Sequence, residues 1–84
     1  MKPFPILNEN EVVIVCVDTY TGKVLNDEFK YAINDEQEVY KICESFDEAV
    51  ELAKSIMKER KNVECVIHGN DKQVLKHLSP FQKE

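Results

Sequence analysis

The fold of this chain is decided by the stretch Ser45–Arg60, which reads SFDEAVELAKSIMKER. Its apolar residues recur at intervals of three and four, the spacing that places them along one side of an α-helix. This stripe is formed by Phe46, Ala49, Val50, Ala53, Ile56 and Met57, with Leu52 at its edge. The opposite side carries charges of both signs, which favours packing on a sheet over binding to a membrane surface. We therefore predict one long amphipathic helix that lies on one face of a sheet.

Both ends of this helix are marked by polar residues. The Ser45 side chain can accept a hydrogen bond from the amide of Glu48, and Glu48 can reach back to the amide of Ser45, which is a capping box. Asp47 in the first turn and Lys58 and Arg60 in the last turn have the charges that the helix dipole favours. No glycine or proline interrupts the segment.

The clearest strand precedes the helix and spans Glu11–Asp18, EVVIVCVD. Alternation along a strand places Val13, Val15 and Val17 on one face, and Val12, Ile14 and Cys16 on the other. Both faces are apolar, whereas a strand with one solvated face alternates apolar and polar residues. We therefore predict that this strand is central in the sheet and covered on both sides.

Three further strands complete the predicted sheet, together with a short element at the C-terminal end. After a turn at Thr19–Gly22, we predict strands at Lys23–Ile33, with a bulge or break at Asn26–Glu28, and at Glu38–Glu44, separated by a turn at Asn34–Glu36. The strand after the helix is Val63–His68, with Val63, Cys65 and Ile67 facing the core. For Asp71–Leu78 we prefer a short helix to an edge strand, followed by Phe81 packing underneath.

These elements define an α+β fold with a four-stranded mixed or antiparallel sheet in the order β-β-β-α-β, plus the short C-terminal helix or edge strand. Residues 1–10 are predicted to form an extended arm, because Pro3 and Pro5 lack backbone donors. Residues 11–84 are predicted to form a single domain. The sequence does not determine the strand order.

Composition limits the classes of function. The chain has 84 residues and a net charge of −5, with 43% apolar and 32% charged residues, which is a soluble globular balance. An acidic chain without a basic stripe is a poor partner for nucleic acid.

No apolar run approaches the roughly 20 residues of a membrane span, and the N-terminus lacks the apolar centre of a signal peptide. We therefore expect a cytoplasmic protein, in which the three cysteines are reduced, buried thiols and not disulfides.

Few residues have a spacing that indicates catalysis or metal binding. Of the cysteines and histidines, only Cys65 and His68 are close in sequence, and on one strand they point to opposite faces. We predict no metal, no cofactor and no enzymatic activity. The alternative is a small metal- or thiol-dependent enzyme that uses His68 with Cys65 or Cys43. The segment His68-Gly69-Asn70-Asp71 is predicted to be a structural turn, the alternative being a functional turn with His68 beside a strand end.

From about residue 38 to residue 78 the chain resembles a family of small bacterial and phage domains of unknown function, numbered 2188. A strand leads into SFDEAVELAKSI, which is similar to the helix opening of that family. The later segment ECVIHGND is similar to the family's V-V-H-G-x-D-G turn, although Lys72 stands where the family has glycine. The resemblance implies no activity and no site residues.

The function that we expect is a protein-interaction or dimerisation module that acts through a sheet surface or edge. Its partner is another protein or a second copy of the chain, and neither nucleic acid nor a membrane is expected. A weaker alternative is an RNA-binding sheet platform built on the aromatic residues Phe29, Tyr31 and Tyr40. The candidate interface residues are Val12, Ile14, Cys16, Phe29, Tyr31 and Tyr40.

Overall fold

The computed structural model describes residues 4–32 and 39–80, which form a four-stranded antiparallel sheet and one α-helix. The elements in chain order are β1 (Val12–Asp18), β2 (Tyr40–Cys43), α1 (Phe46–Glu59), β3 (Val63–His68) and β4 (Val74–Leu78). The strand order across the sheet is β2-β1-β3-β4, and all neighbours are antiparallel. The α+β class and the antiparallel form of the predicted sheet are therefore confirmed, whereas the element order is β-β-α-β-β.

Helix α1 connects two strands that are not neighbours. β2 and β3 lie on either side of β1 and both run antiparallel to it, so they are parallel to each other. Parallel strands need a crossover connection, and a helix is the usual one. α1 therefore passes over β1, and β1 is central in the sheet, as its apolar sequence predicts.

The predicted helix start and apolar stripe are both present. The Ser45 hydroxyl accepts a hydrogen bond from the Glu48 amide at 3.2 Å, which is one half of the capping box. The helix has 14 residues, and its buried residues are Ala49, Ala53, Ile56 and Met57. Phe46 and Leu52, at the edges of the stripe, remain 37% and 40% exposed. The stripe that reaches the sheet is thus narrower than the apolar pattern in the sequence.

The core lies between α1 and the face of the sheet that it covers. Alternate residues of the two central strands point into it, and among them Ile14, Cys16, Val63, Cys65 and Ile67 are at most 1% exposed. Two small helix residues, Ala49 and Ala53, are fully buried against this layer. Alanine at these positions lets the helix backbone approach the sheet closely.

The predicted strand at Lys23–Ile33 is wrong over its described part, residues 23–32. Only two isolated bridges occur there, Val17 with Val24 and Leu25 with Tyr31. The cause is Asn26, whose side-chain oxygen accepts from the amides of Glu28 at 2.9 Å and Lys30 at 3.1 Å. These bonds turn the chain back on itself, so the predicted break at Asn26–Glu28 is a tight turn and not a bulge in a strand.

The preferred helix at Asp71–Leu78 is also wrong, and the edge-strand alternative is correct. Residues after His68 form a tight hairpin turn in which the Gly69 amide donates to the Gln73 carbonyl at 2.9 Å. Lys72 takes a positive φ of 70° in this turn. β4 then pairs with β3 so that Leu78, opposite Cys65, fills the core. The long-range contact with the core decides between the two local structures.

Some predicted features fall wholly or partly outside the described residues: the first residues of the arm at 1–10, the end of the strand at Lys23–Ile33, the turn at Asn34–Glu36, the start of the strand at Glu38–Glu44, and the packing of Phe81. The predicted turn at Thr19–Gly22 is confirmed. Gly22 has a φ of 72° and donates to the Asp18 carbonyl at 2.9 Å.

Two isoleucines test the position of the core. Ile67→Ala removes a fully buried side chain beneath the helix, so we expect the free energy of unfolding to fall by about 2–5 kcal/mol. Ile6→Ala is the matched control, because Ile6 is fully exposed on the single chain and its truncation should change the stability of the monomer by less than about 0.5 kcal/mol. Urea denaturation followed by circular dichroism measures both. Equal losses for the two variants would contradict this placement of the core.

Candidate interaction surface

The side of the sheet opposite α1 has no helix or strand over it among the described residues, and we call it the open face. Cross-strand register identifies its members, because directly opposite residues share a face. They are Val13, Val15, Val17, Tyr40, Ile42, Glu64, Val66, His68, Val74 and His77. The molecule is correspondingly flat, with extents of 33 × 31 × 18 Å.

One end of the open face is covered by the segment that precedes β1. The Phe4 ring contacts Tyr40 edge-on with ring centroids 5.4 Å apart, and His68 with centroids 6.0 Å apart. Tyr40 and His68 lie on the strands to either side of β1, so Phe4 spans β1 between them. This contact accounts for the full burial of Val13, which is 0% exposed although it points away from the helix.

The rest of the open face remains partly accessible. Val15, Val17 and Val66 are half-buried, whereas Ile42 is 52% and Val74 60% exposed. The prediction that β1 is covered on both sides therefore holds fully only for the end beneath Phe4. Towards its other end, the apolar side of the strand is open to solvent.

The charge on the open face is small for so acidic a chain. Its strand residues in the described part of the chain include one carboxylate, Glu64, and no lysine or arginine. The carboxylate of Glu64 lies 3.1 Å from the ring nitrogen Nε2 of His77. From the hairpin turn, Lys72 reaches towards the edge of the face, with its ammonium 6.0 Å from the Phe4 ring.

The predicted interface residues do not share one surface. Val12, Ile14 and Cys16 lie beneath the helix and are at most 5% exposed, so on this chain they contact α1 and not a partner. Tyr40 lies on the open face. The apolar residues of β1 available to a partner are those of its opposite side, Val15 and Val17. Sequence alternation separates the two sets of β1 side chains, but it does not indicate which set the helix covers.

The three aromatic residues of the RNA-platform alternative are also divided between surfaces. Phe29 packs beside the core, with Arg60 at 4.2 Å and Lys41 at 5.0 Å from its ring centroid. Tyr31 lies in the same loop with Lys23 at 5.2 Å. Tyr40 lies on the open face, against Phe4. The described structure does not place these rings side by side as stacking platforms require.

The thiols and histidines are separated by the sheet. Cys16, Cys43 and Cys65 are free and buried on the helix side, whereas His68 and His77 lie on the open face. His68 is therefore not placed to act with Cys65 or Cys43. Among the described residues there is no cluster of three or more histidine, cysteine or acidic side chains that could hold a metal ion.

The thiols differ in their surroundings. Burial, with a smaller effect from the Glu48 carboxylate, raises the pKa of Cys43. A hydrogen bond between the thiols of Cys16 and Cys65 lowers the pKa of Cys16, and the same bond together with burial raises the pKa of Cys65. None of these thiols is exposed in the manner of a reactive cysteine.

The turn at His68–Asp71 uses its polar groups internally. The Nδ1 atom of His68 lies 3.2 Å from the Lys72 carbonyl, and the Asp71 carboxylate accepts from the Gln73 amide at 3.3 Å. A Cβ added at Gly69 would lie 3.4 Å from the Leu75 side chain, which is ordinary contact. These bonds give the segment a structural role as the β3–β4 turn.

Two clefts lie away from the open face. One of about 280 Å³ is lined by Lys54, Lys58 and Lys61 on the C-terminal half of the helix and the following link, and by Leu78–Pro80. Cations there interact favourably with the negative end of the helix dipole. The second, of about 330 Å³, is bordered by Asp18, Leu25, Phe29, Lys30, Tyr31 and Asn62.

Asp18 is the buried acid of the second cleft. Its carboxylate accepts from the amides of Tyr20 at 2.8 Å and Thr21 at 3.1 Å. The bond from Tyr20 is the largest cause that lowers the pKa of Asp18, and it outweighs the opposite effect of burial. The carboxylate thus organises the turn after β1. Sequence reasoning treated Asp18 as a strand end, although Asp before Thr-Tyr-Thr-Gly is typical of a side chain that bonds backbone amides two or three residues on.

Comparisons with known protein families, curated proteins and solved structures found no match to this chain. In residues 4–32 and 39–80, no helix combines the length and the apolar character that crossing a membrane requires.

The Asp18 carboxylate is expected to make stability depend on pH. Its pKa is lower in the folded chain than in the unfolded chain, so its contribution is complete above about pH 5 and is lost as pH falls below about 4. We expect Asp18→Asn to be less stable than the wild type at neutral pH, and the difference to shrink in acid. Urea titrations between neutral and acidic pH measure this, with Asp27→Asn, at an exposed acid, as the control. A difference that stays constant or widens in acid would contradict the assignment.

Proposed function

We propose that this protein is a small interaction module that forms a homodimer through the open face of its sheet. The observation that carries the proposal is an apolar sheet surface with the helix on its other side. A catalytic role has no comparable support, because the sheet separates His68 from Cys43 and Cys65. The free thiols are in keeping with the cytoplasmic location that we propose.

The driving force for association is burial of the apolar side chains of this face. Ile42 and Val74 are more than half exposed and lie on the two edge strands, in the row that also contains Val13 and His68. The half-buried Val15 and Val66 lie in the adjacent row. Each Å² of apolar surface removed from water contributes about 25 cal/mol. A partner that covers these side chains needs a matching apolar surface and few charges.

A second copy of the chain fits this requirement best. Two chains with a net charge of −5 repel each other wherever their acidic surfaces meet. On the open face the only strand carboxylate among the described residues is Glu64, and His77 contacts it. Two copies related by a twofold axis can therefore place apolar side chains against each other without opposing rows of carboxylates.

The size of the face sets the expected affinity. Strands about 4.8 Å apart and five residues long at about 3.3 Å per residue give a four-stranded sheet an area on the order of 300 Å². One partner in a stable interface buries about 800 Å², so the open face alone is small. The exposed Ile6, two residues from Phe4 on the covering segment, can add to it. We therefore expect a dimer with a Kd in the micromolar range.

A pair of lysine substitutions tests the surface. Ile42→Lys puts a charge on the open face, and Leu52→Lys puts the same charge on the helix, at a residue of similar exposure. Sedimentation equilibrium over a range of concentrations should show the wild type and Leu52→Lys as reversible dimers. For Ile42→Lys we expect a Kd at least about a hundredfold higher, because each dimer would bury two unpaired ammonium groups.

Two results would overturn the proposal. A wild-type chain that stays monomeric at millimolar concentration does not dimerise through this face. Equal weakening by both substitutions places the interface elsewhere or shows that only net charge matters. Circular dichroism of each variant confirms that the fold is intact.

A further inference from the structure

Two of the three cysteines face each other across the centre of the sheet. Cys16 in β1 is directly opposite Cys65 in β3. Both side chains point towards the helix and are at most 1% exposed. Cys43, by contrast, lies opposite Val12 in the β1–β2 pairing. The register thus selects one pair of thiols from the three.

The backbone hydrogen bonds show which kind of cross-strand pair this is. The Thr19 amide donates to the Asn62 carbonyl at 2.8 Å, so these opposite residues form a hydrogen-bonded pair. Pairs alternate along an antiparallel ladder, and Cys16 and Cys65 lie three steps further, at a non-hydrogen-bonded position. In agreement, the Cys16 carbonyl accepts from Leu25 at 2.8 Å, on the other edge of β1.

This position brings the two thiols within bonding reach. In non-hydrogen-bonded pairs the Cα atoms lie about 4.5 Å apart, and disulfides join Cα atoms about 4.4–6.8 Å apart. The two thiols lie on the same side of this pair, where each influences the pKa of the other. The sulfur of Cys65 is also 4.0 Å from the Ala53 carbonyl, so the helix holds it over the sheet.

We propose that Cys16 and Cys65 form a reversible cross-strand disulfide, with a low-molecular-weight disulfide such as oxidised glutathione as the oxidant. One cysteine thiolate attacks the glutathione disulfide, which forms a mixed disulfide and releases one glutathione thiolate. The second cysteine thiolate attacks the mixed disulfide, which forms the Cys16–Cys65 bond and releases the second glutathione. Two electrons pass to glutathione, and the two cysteine protons pass to solvent or to the released thiolates.

The geometry makes this bond easy to reduce. The Cα separation typical of such a pair, about 4.5 Å, is at the short limit of the disulfide range, and strained disulfides have more oxidising potentials. Because both sulfurs are buried, a reagent reaches them only when the helix or β3 opens locally. In the folded protein the pair is therefore oxidised and reduced slowly, and its redox state persists after the redox conditions change.

Refolding in redox buffer tests the pair without the limit of burial. The reduced chain is unfolded in urea and refolded by dilution into glutathione buffers of increasing oxidised fraction. Free thiols are then alkylated and the peptides are mapped by mass spectrometry. We expect a Cys16–Cys65 disulfide in the folded product at high oxidised fraction, its reversal by reduced glutathione, and alkylated Cys43 throughout.

Single substitutions provide the matched controls. Cys43→Ser should form the same disulfide as the wild type, whereas Cys16→Ser and Cys65→Ser should form no intramolecular disulfide. The proposal is overturned if the folded product keeps all three thiols in fully oxidised glutathione. It is equally overturned if the disulfide involves Cys43, or if the oxidised chain lacks the circular dichroism of the folded protein. None of these outcomes depends on whether the chain dimerises.

Discussion

The contact between α1 and the two central strands determines the remainder of the structure. Ala49 and Ala53 bring the helix backbone down onto the sheet, where Ile14 and Ile67 fill the space beside them. A helix is about 10 Å wide, whereas four strands at about 4.8 Å spacing are nearly twice as wide. A single helix therefore covers only part of one side of this sheet and leaves the other side without a helix. The asymmetry between a closed core and an open face follows from having one such helix in the described residues.

The elements that the sequence predicts correctly are those with strong local periodicity. The helix shows its stripe and its cap at Ser45, β1 shows a continuous apolar run, and β3 shows apolar residues at alternate positions. The prediction of a strand over residues 23–32 is wrong because one side chain, Asn26, redirects the backbone through two amides. The preference for a helix at β4 is wrong for a different reason. Its local sequence suits a helix as well as a strand, and the contact of Leu78 with the core favours the strand.

The candidate surface was only partly predictable for the same reason. Alternation separates the two faces of β1, but the choice of face for the helix depends on strand order and on the path of the crossover. The Cys16–Cys65 pair was beyond sequence reasoning, because it exists only through the register of β1 and β3. By spacing alone the three cysteines are equivalent. In this small sheet, the strand register determines which reactive side chains meet, whereas the local sequence pattern determines where the helix and the main strands form.

The turn around Phe29 has a consequence for the order in which the chain folds. Phe29 has a φ of 63°, a conformation that costs a residue with a side chain roughly 1–2 kcal/mol. The contacts that offset this cost come from Lys41 on β2 and from Arg60 at the end of the helix. Neither is available while the turn is isolated, where only the local hydrogen bonds to Asn26 oppose the cost. We therefore expect the turn to become ordered only once the helix and β2 have docked.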